Sequence, residues 1–149
     1  MISVFDLVAY IVEYCRKVDT VKLYKYIYWC HVWYMVWNNG KPLIKEPFEA
    51  WINGPMIKEL YDKTWAKQYL EYFGDYEIDQ VIKVQLDKIL DLCIAKGDLW
   101  LLSKATYDAS WRAARQGIAS FEASRNIIDN EAIYVYYKDK DINKFFEEN

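Results

Sequence analysis

Residues 21–37 read VKLYKYIYWCHVWYMVW. Asp19-Thr20 stands just before this run as a helix N-cap, and Asn38-Asn39-Gly40 stands just after it as a C-cap. Lys41-Pro42 then ends the helix, because proline has no N–H to continue the ladder. The spacing predicts a helix over 21–37 whose middle is apolar nearly all round. Such a helix has no face for water and belongs at the centre of a fold. Its most hydrophobic part, 26–37, contains His31 and is far shorter than the roughly 20 residues needed to cross a bilayer. It therefore reads as a buried helix.

The rest of the chain is read outward from that centre. Its 149 residues suit one domain with a genuine core. Apolar residues make up 54% and charged residues 28%, which is a globular and not a disordered composition. The 7 Trp and 14 Tyr are a marked excess, and such residues anchor cores and interfaces alike. The net charge of −3 argues against nucleic acid as the main partner, since phosphate contacts need a basic surface. The one local basic grouping is Arg112, Arg115 and Arg125. Cys15, Cys30 and Cys93 are odd in number, widely spaced and set in apolar stretches. They give no disulfide framework and read as small buried hydrophobes in a reducing compartment. With no signal-peptide pattern and no membrane span, the expected location is the cytoplasm.

Before the central helix, Ser3 or Asp6 opens a first one with Val4, Leu7, Val8, Ile11, Val12 and Cys15 at helical spacing. After it, Pro42 and Pro47 exclude a helix, and 48–52 reads as a short extended piece. Gly54-Pro55 reads as a hinge that launches a third helix over 56–69 with Pro55 in its first turn. Residues 70–76 form a loop around Gly74. A strongly amphipathic helix covers 78–96 and ends at Gly97. Asp98 caps a helix over 99–108, Ser110 caps a short one over 111–116, and Asp129 caps a last one over 130–138. The expected fold is mainly α: a single compact helical domain of about six to seven helices with one short extended segment near residues 47–52. The domain covers 1–138, and 139–149 reads as a charged, frayed tail.

A single His removes most catalytic schemes. Cys30 and His31 are neighbours, so on a helix they point about 100° apart and share a metal poorly. His31 reads as a packed or hydrogen-bonded helix residue. Glu46 and Glu49 flank a proline and read as solvated. No GxSxG elbow, P-loop or GxGxxG is present. The sequence thus points to no catalytic residue, no metal and no cofactor, and the expected protein is not an enzyme. The rival would be an enzyme acting through His31 with Cys30 or a nearby carboxylate.

Three segments stand out instead. Lys22, Lys25, Trp29 and Trp33 share one helix face that mixes charge with large aromatics. In FEAWINGPM, residues 48–56, strand alternation puts Phe48 and Ala50 on one side and Glu49 and Trp51 on the other. In SWRAAR, residues 110–115, Trp111 sits beside Arg112 and Arg115, one helical turn apart. The candidate partner-binding residues are Lys22, Lys25, Trp29, Trp33, Trp111, Arg112 and Arg115. Trp51 is expected to wedge against the central helix near Trp33 or Trp37.

Together these segments resemble the Panacea domain of SocA-like antitoxins and phage-associated GepA-like proteins. The matching residues are Lys22, Leu23, Tyr28, Trp33 and Tyr34; Gly40, Lys41, Pro42 and Leu43; Glu49, Ala50, Trp51, Gly54 and Pro55; and Leu60 and Tyr61. Downstream, the Pro-Trp-x-x-Ala-Arg element of the family is similar to residues 110–115, with Ser110 in place of the proline. Its closing Ile-x-x-Glu-x-Ile is similar to residues 128–133. The resemblance implies an antitoxin that neutralises a cognate protein toxin, encoded by a neighbouring gene, through direct binding. It implies two alternatives: an adaptor that delivers the toxin to a protease, or a phage accessory protein that binds a host factor. It makes Glu49, Ala50, Trp51, Gly54, Pro55 and Tyr61 motif residues of structural weight.

Overall fold

The central helix, α2 (Thr20–Trp37), is buried along almost its whole length and round almost its whole circumference. Asp19 caps it, its carboxylate accepting from the backbone N–H of Val21 at 2.9 Å and of Lys22 at 3.2 Å. At its other end Asn39 and Gly40 turn through positive φ, and the Gly40 N–H returns to the Met35 carbonyl at 2.8 Å. A Cβ on Gly40 would come within 3.2 Å of the Tyr134 ring, so at φ +83° any other residue would be strained and would have to push that ring aside.

The computed structural model describes residues 1–148, apart from the side chain of residue 106. Around α2 pack α1 (Val4–Cys15), α4 (Gln80–Ala95), α5 (Asp98–Thr106) and α7 (Asn130–Tyr137). The shorter α3 (Lys58–Thr64), α6 (Ala109–Ala114) and α8 (Ile142–Glu147) fill the gaps. The fold is mainly α and forms a single domain, as predicted. None of the described helices is long and apolar enough to cross a membrane.

Strands occupy more of the chain than the one predicted extended piece. β2 (Phe48–Trp51) pairs antiparallel with β3 (Gly54–Met56) on one side and with β5 (Ile127–Ile128) on the other. β1 (Val18–Asp19) pairs with β4 (Tyr69–Leu70). Pro55 therefore does not open α3. It lies in β3, opposite Ala50, and β3 is an edge strand where a missing N–H is tolerated. Two further residues, Met56 and Ile57, precede the start of α3 at Lys58, and α3 stops at Thr64, short of the predicted 69.

Two other expectations change. Asp108, not Ser110, caps α6, accepting from the Trp111 N–H at 2.8 Å. The tail is not frayed through its length: α8 buries Ile142, Phe145 and Phe146 against the core. Asp141 caps α8 through the Lys144 N–H at 2.9 Å. The apolar content of the tail outweighs its charge.

Candidate functional site

The β2–β3 hairpin turns through Ile52 and Asn53, and Gly54 has φ +117°, a conformation that favours glycine. The hairpin is fixed from behind at successive backbone acceptors. Lys25, on α2, donates from Nζ to the Asn53 carbonyl at 3.0 Å. Trp111 donates from Nε1 to the Trp51 carbonyl at 2.7 Å. The Arg115 guanidinium donates to the carbonyls of Ala50 at 2.9 Å, Ala119 at 3.0 Å and Glu122 at 2.5 Å. Lys25 and Arg115 are both only 4% exposed. Burial disfavours the Lys25 ammonium and brings its pKa down to about 8.

Strand alternation sorts the hairpin as predicted. Phe48 and Ala50 face the core, where the Phe48 ring meets Tyr28 at 5.1 Å and His31 at 5.3 Å. Glu49 and Trp51 share the outer side. There the Trp51 Nε1 donates to Glu49 Oε1 at 2.9 Å, and the Arg125 fork donates to both Glu49 oxygens at 2.8 and 3.2 Å. The Arg125 bonds hold the Glu49 carboxyl below its ordinary range, against the opposing effect of burial. The Tyr61 ring, from α3, meets Trp51 edge-on at 5.0 Å. Trp51 thus packs on α3. It does not wedge near Trp33 or Trp37, because the hairpin crosses the N-terminal half of α2, at Lys25.

Between the hairpin, α3 and the segment 123–125 lies a cleft of about 520 Å³. Trp51, Ile52, Gly54, Met56, Tyr61 and Ala123 make its walls mostly apolar, with Asn53 and Ser124 beside them. Its charged rim is internally paired: Lys58 with Asp62 at 2.6 Å, and Arg125 with Glu49. Trp, Tyr and Arg are the residue types that most often anchor protein interfaces. Trp51, Tyr61 and Arg125 meet here, all in part open to solvent.

The family model described as Antitoxin SocA-like, Panacea domain, matches residues 23–146. The chain belongs to this SocA-like Panacea family of antitoxin domains. No curated protein and no solved structure gives a significant match. The match reaches Phe146, so the Panacea domain takes in most of α8 and extends past residue 138. Glu49, Ala50, Trp51, Gly54, Pro55 and Tyr61 all lie at the hairpin or on the cleft.

The other candidate residues scatter. Trp29 and Trp33 are wholly buried, so the face they share with Lys22 and Lys25 turns inward and not toward a partner. Lys22 alone of that face is half-exposed, paired with Asp98 at 3.0 Å. Trp111 and Arg115 are buried struts of the hairpin, and Arg112 is exposed. Glu46 and Glu49 are not simply solvated. Glu46 accepts from the Val4 N–H at 2.9 Å at the start of α1, and Glu49 forms the cluster above. His31 is a packed helix residue, bonded through Nε2 to Asn130 Oδ1 at 2.9 Å. Burial depresses its pKa to about 4, against the opposing Asn130 bond. Cys30 and Cys93 are buried and free. Among the described residues no three His, Cys, Asp or Glu side chains group as a metal site.

The sequence alone did not reveal two parts of this arrangement. Arg125 lies 76 residues from Glu49, and only the pairing of β5 with β2 brings them together. Asp108 is a buried hub that accepts from the hydroxyls of Tyr28 and of Tyr137, the latter at 2.9 Å. Its spacing from both tyrosines carried no signal.

Proposed function

We propose that this domain neutralises a protein toxin, encoded by a neighbouring gene, by binding it directly, without catalysis, at the hairpin cleft. The observation that carries the reading is the convergence of Trp51, Tyr61 and Arg125 around a cleft of about 520 Å³ whose rim charges are already paired. An apolar side chain of the partner can enter such a cleft without stranding a buried charge. Neutralisation is then steric: the toxin surface is covered while no bond is made or broken. The buried free thiols Cys30 and Cys93 suit a reducing compartment, so the proposed setting is the cytoplasm.

The test is co-expression with the reading frame adjacent to the gene, followed by purification of a tagged copy of this protein. Growth rescue with a stoichiometric complex is the expected result. Ile52→Glu at the half-exposed hairpin tip should leave the melting temperature unchanged and weaken the complex at least tenfold. Rescue without a complex, with the toxin disappearing only when a protease is present, would replace direct neutralisation by an adaptor role. Absence of both toxicity and partner would overturn the reading.

A further inference from the structure

Four elements close on a surface cavity of about 290 Å³: the end of α5, the start of α6, the end of α7 and the end of α8. Three cations line it. Lys104 comes from the last turn of α5, Arg112 from α6, and Lys140 from just beyond α7. The exposed rings of Tyr107 and Tyr136 stand beside them. A place near the carbonyl end of a helix favours each cation by itself. It does not account for three helices that bring theirs to one cavity, in a chain whose net charge is −3.

The anions nearby leave most of this charge unanswered. The Glu148 carboxylate accepts from Lys104 Nζ at 2.9 Å. Lys104 first, and Lys140 with it, hold the Glu148 carboxyl below its ordinary range, so an oxyanion already sits where two ammonium groups reach. Asp108 is buried at the floor. Its oxygens are engaged from inside the protein, by the Trp111 N–H at 2.8 Å and by the hydroxyls of Tyr28 and of Tyr137, the latter at 2.9 Å. Among the described residues neither Arg112 nor Lys140 forms an ion pair, and Lys140 lies over the Tyr136 ring at 4.8 Å. Two cations therefore remain for a ligand. A phosphoryl group carries a charge of about −1.5 to −2 at pH 7 and matches them better than one carboxylate does. A guanidinium meets such a group with two parallel hydrogen bonds. The cavity is close to the lower end of small-molecule pockets, roughly 300 Å³, so it suits a small phosphate and not a folded partner.

We propose that this cavity binds the phosphoryl group of a small molecule, with Arg112 and Lys140 as its direct ligands. The inference stands apart from the hairpin cleft and is tested without a toxin. Calorimetric titration of the full chain with pyrophosphate at pH 7 should show one saturable site per chain. Substituting Arg112→Ala and Lys140→Ala together should weaken uptake by about tenfold or more. Both side chains are exposed, so circular dichroism should show the variant folded. If it does not fold, each single substitution takes its place, with a loss of about threefold or more. Lys138→Ala removes an exposed cation outside the cavity and should leave the affinity within about twofold. Glu148→Gln removes the competing charge and should tighten uptake by about threefold or more. Competition by ribose 5-phosphate and by inorganic phosphate separates the sources of the group. The stronger competitor marks an organic phosphate or free phosphate as the ligand, and either order supports the site. No saturable uptake of pyrophosphate, uptake unchanged by the double substitution, or an equal loss in Lys138→Ala would overturn the proposal.

Discussion

Trp51 packs on α3 and, in the proposed interface, lines the cleft that receives the toxin, and two substitutions separate these contributions. Replacing a fully buried Trp by Ala costs roughly 3–5 kcal/mol. Trp51 is half-buried, with one side of its ring on the cleft, so no closed cavity forms there and about half of that loss applies. The lost bond from Nε1 to Glu49 adds about 1 kcal/mol, since Glu49 keeps both Arg125 contacts. Trp51→Ala should therefore destabilise by about 3 kcal/mol and lower the melting temperature by roughly 6–12 °C for a domain of this size. Trp51→Phe keeps a ring against Tyr61 and loses only the bond and some area, so its cost should be about 1 kcal/mol and roughly 2–4 °C. Calorimetric melting at pH 7 measures both, and co-purification with the toxin measures binding. Toxin capture should fall steeply in Trp51→Ala at a temperature where the variant is folded, and only mildly in Trp51→Phe. A melting temperature unmoved by Trp51→Ala would refute the packing argument. Full capture by a folded Trp51→Ala protein would remove the cleft from the interface.

The remaining predictions address the supports of the site. His31 has a folded pKa of about 4 against an ordinary 6.5, so the unfolded chain binds more protons between these values and stability falls as pH drops through that window. The loss should reach about 3 kcal/mol by pH 4, and in His31→Gln, denaturant titrations at pH 7 and pH 4.5 should lack the part due to this residue. Asp108→Ala strands two buried tyrosine hydroxyls and uncaps α6, which should cost about 3–5 kcal/mol in denaturant unfolding. Adding Tyr28→Phe should recover part of that loss, as a double-mutant cycle will read. Trp111→Phe removes the donor to the Trp51 carbonyl and should cost about 1–2 kcal/mol while weakening toxin capture, although Trp111 is buried away from the partner.

How far the sequence carried the fold follows from the range of each interaction. The caps at Ser3, Asp19 and Asp129 were legible because a side chain and the N–H it serves are two or three residues apart. The central helix was legible because no amphipathic pattern survives in it. The inward turn of Trp29 and Trp33 was not, since an aromatic on an apolar helix looks the same whether core or partner covers it. The hairpin was half legible: alternation places Glu49 and Trp51 on one side, but Gly54-Pro55 carries the signature of a helix start as much as that of a strand. A proline fits an edge strand as well as a first helical turn, and edge status is decided by β5, far along the chain. The tail misled for a different reason. Its charged residues dominate its composition, while its ordering depends on Ile142, Phe145 and Phe146 alone.

These long-range contacts also explain why a domain can be built so heavily around one small hairpin. A binding surface that must order itself on contact loses affinity to that ordering. Here the ordering is complete beforehand, because Lys25, Trp111 and Arg115 each satisfy a hairpin carbonyl from the core side. Two of those three donors are cationic, and their burial is tolerable only because backbone acceptors take their hydrogens. On the outer side of β2, Glu49 fixes both the Trp51 ring and Arg125, and Trp51 packs on Tyr61. Side chains around the cleft, Ile52 and Met56 among them, can then vary with the partner while the backbone that presents them stays in place. On this view specificity resides in the cleft lining and rigidity in the struts behind it, so changes in the two should act separately on partner choice and on affinity.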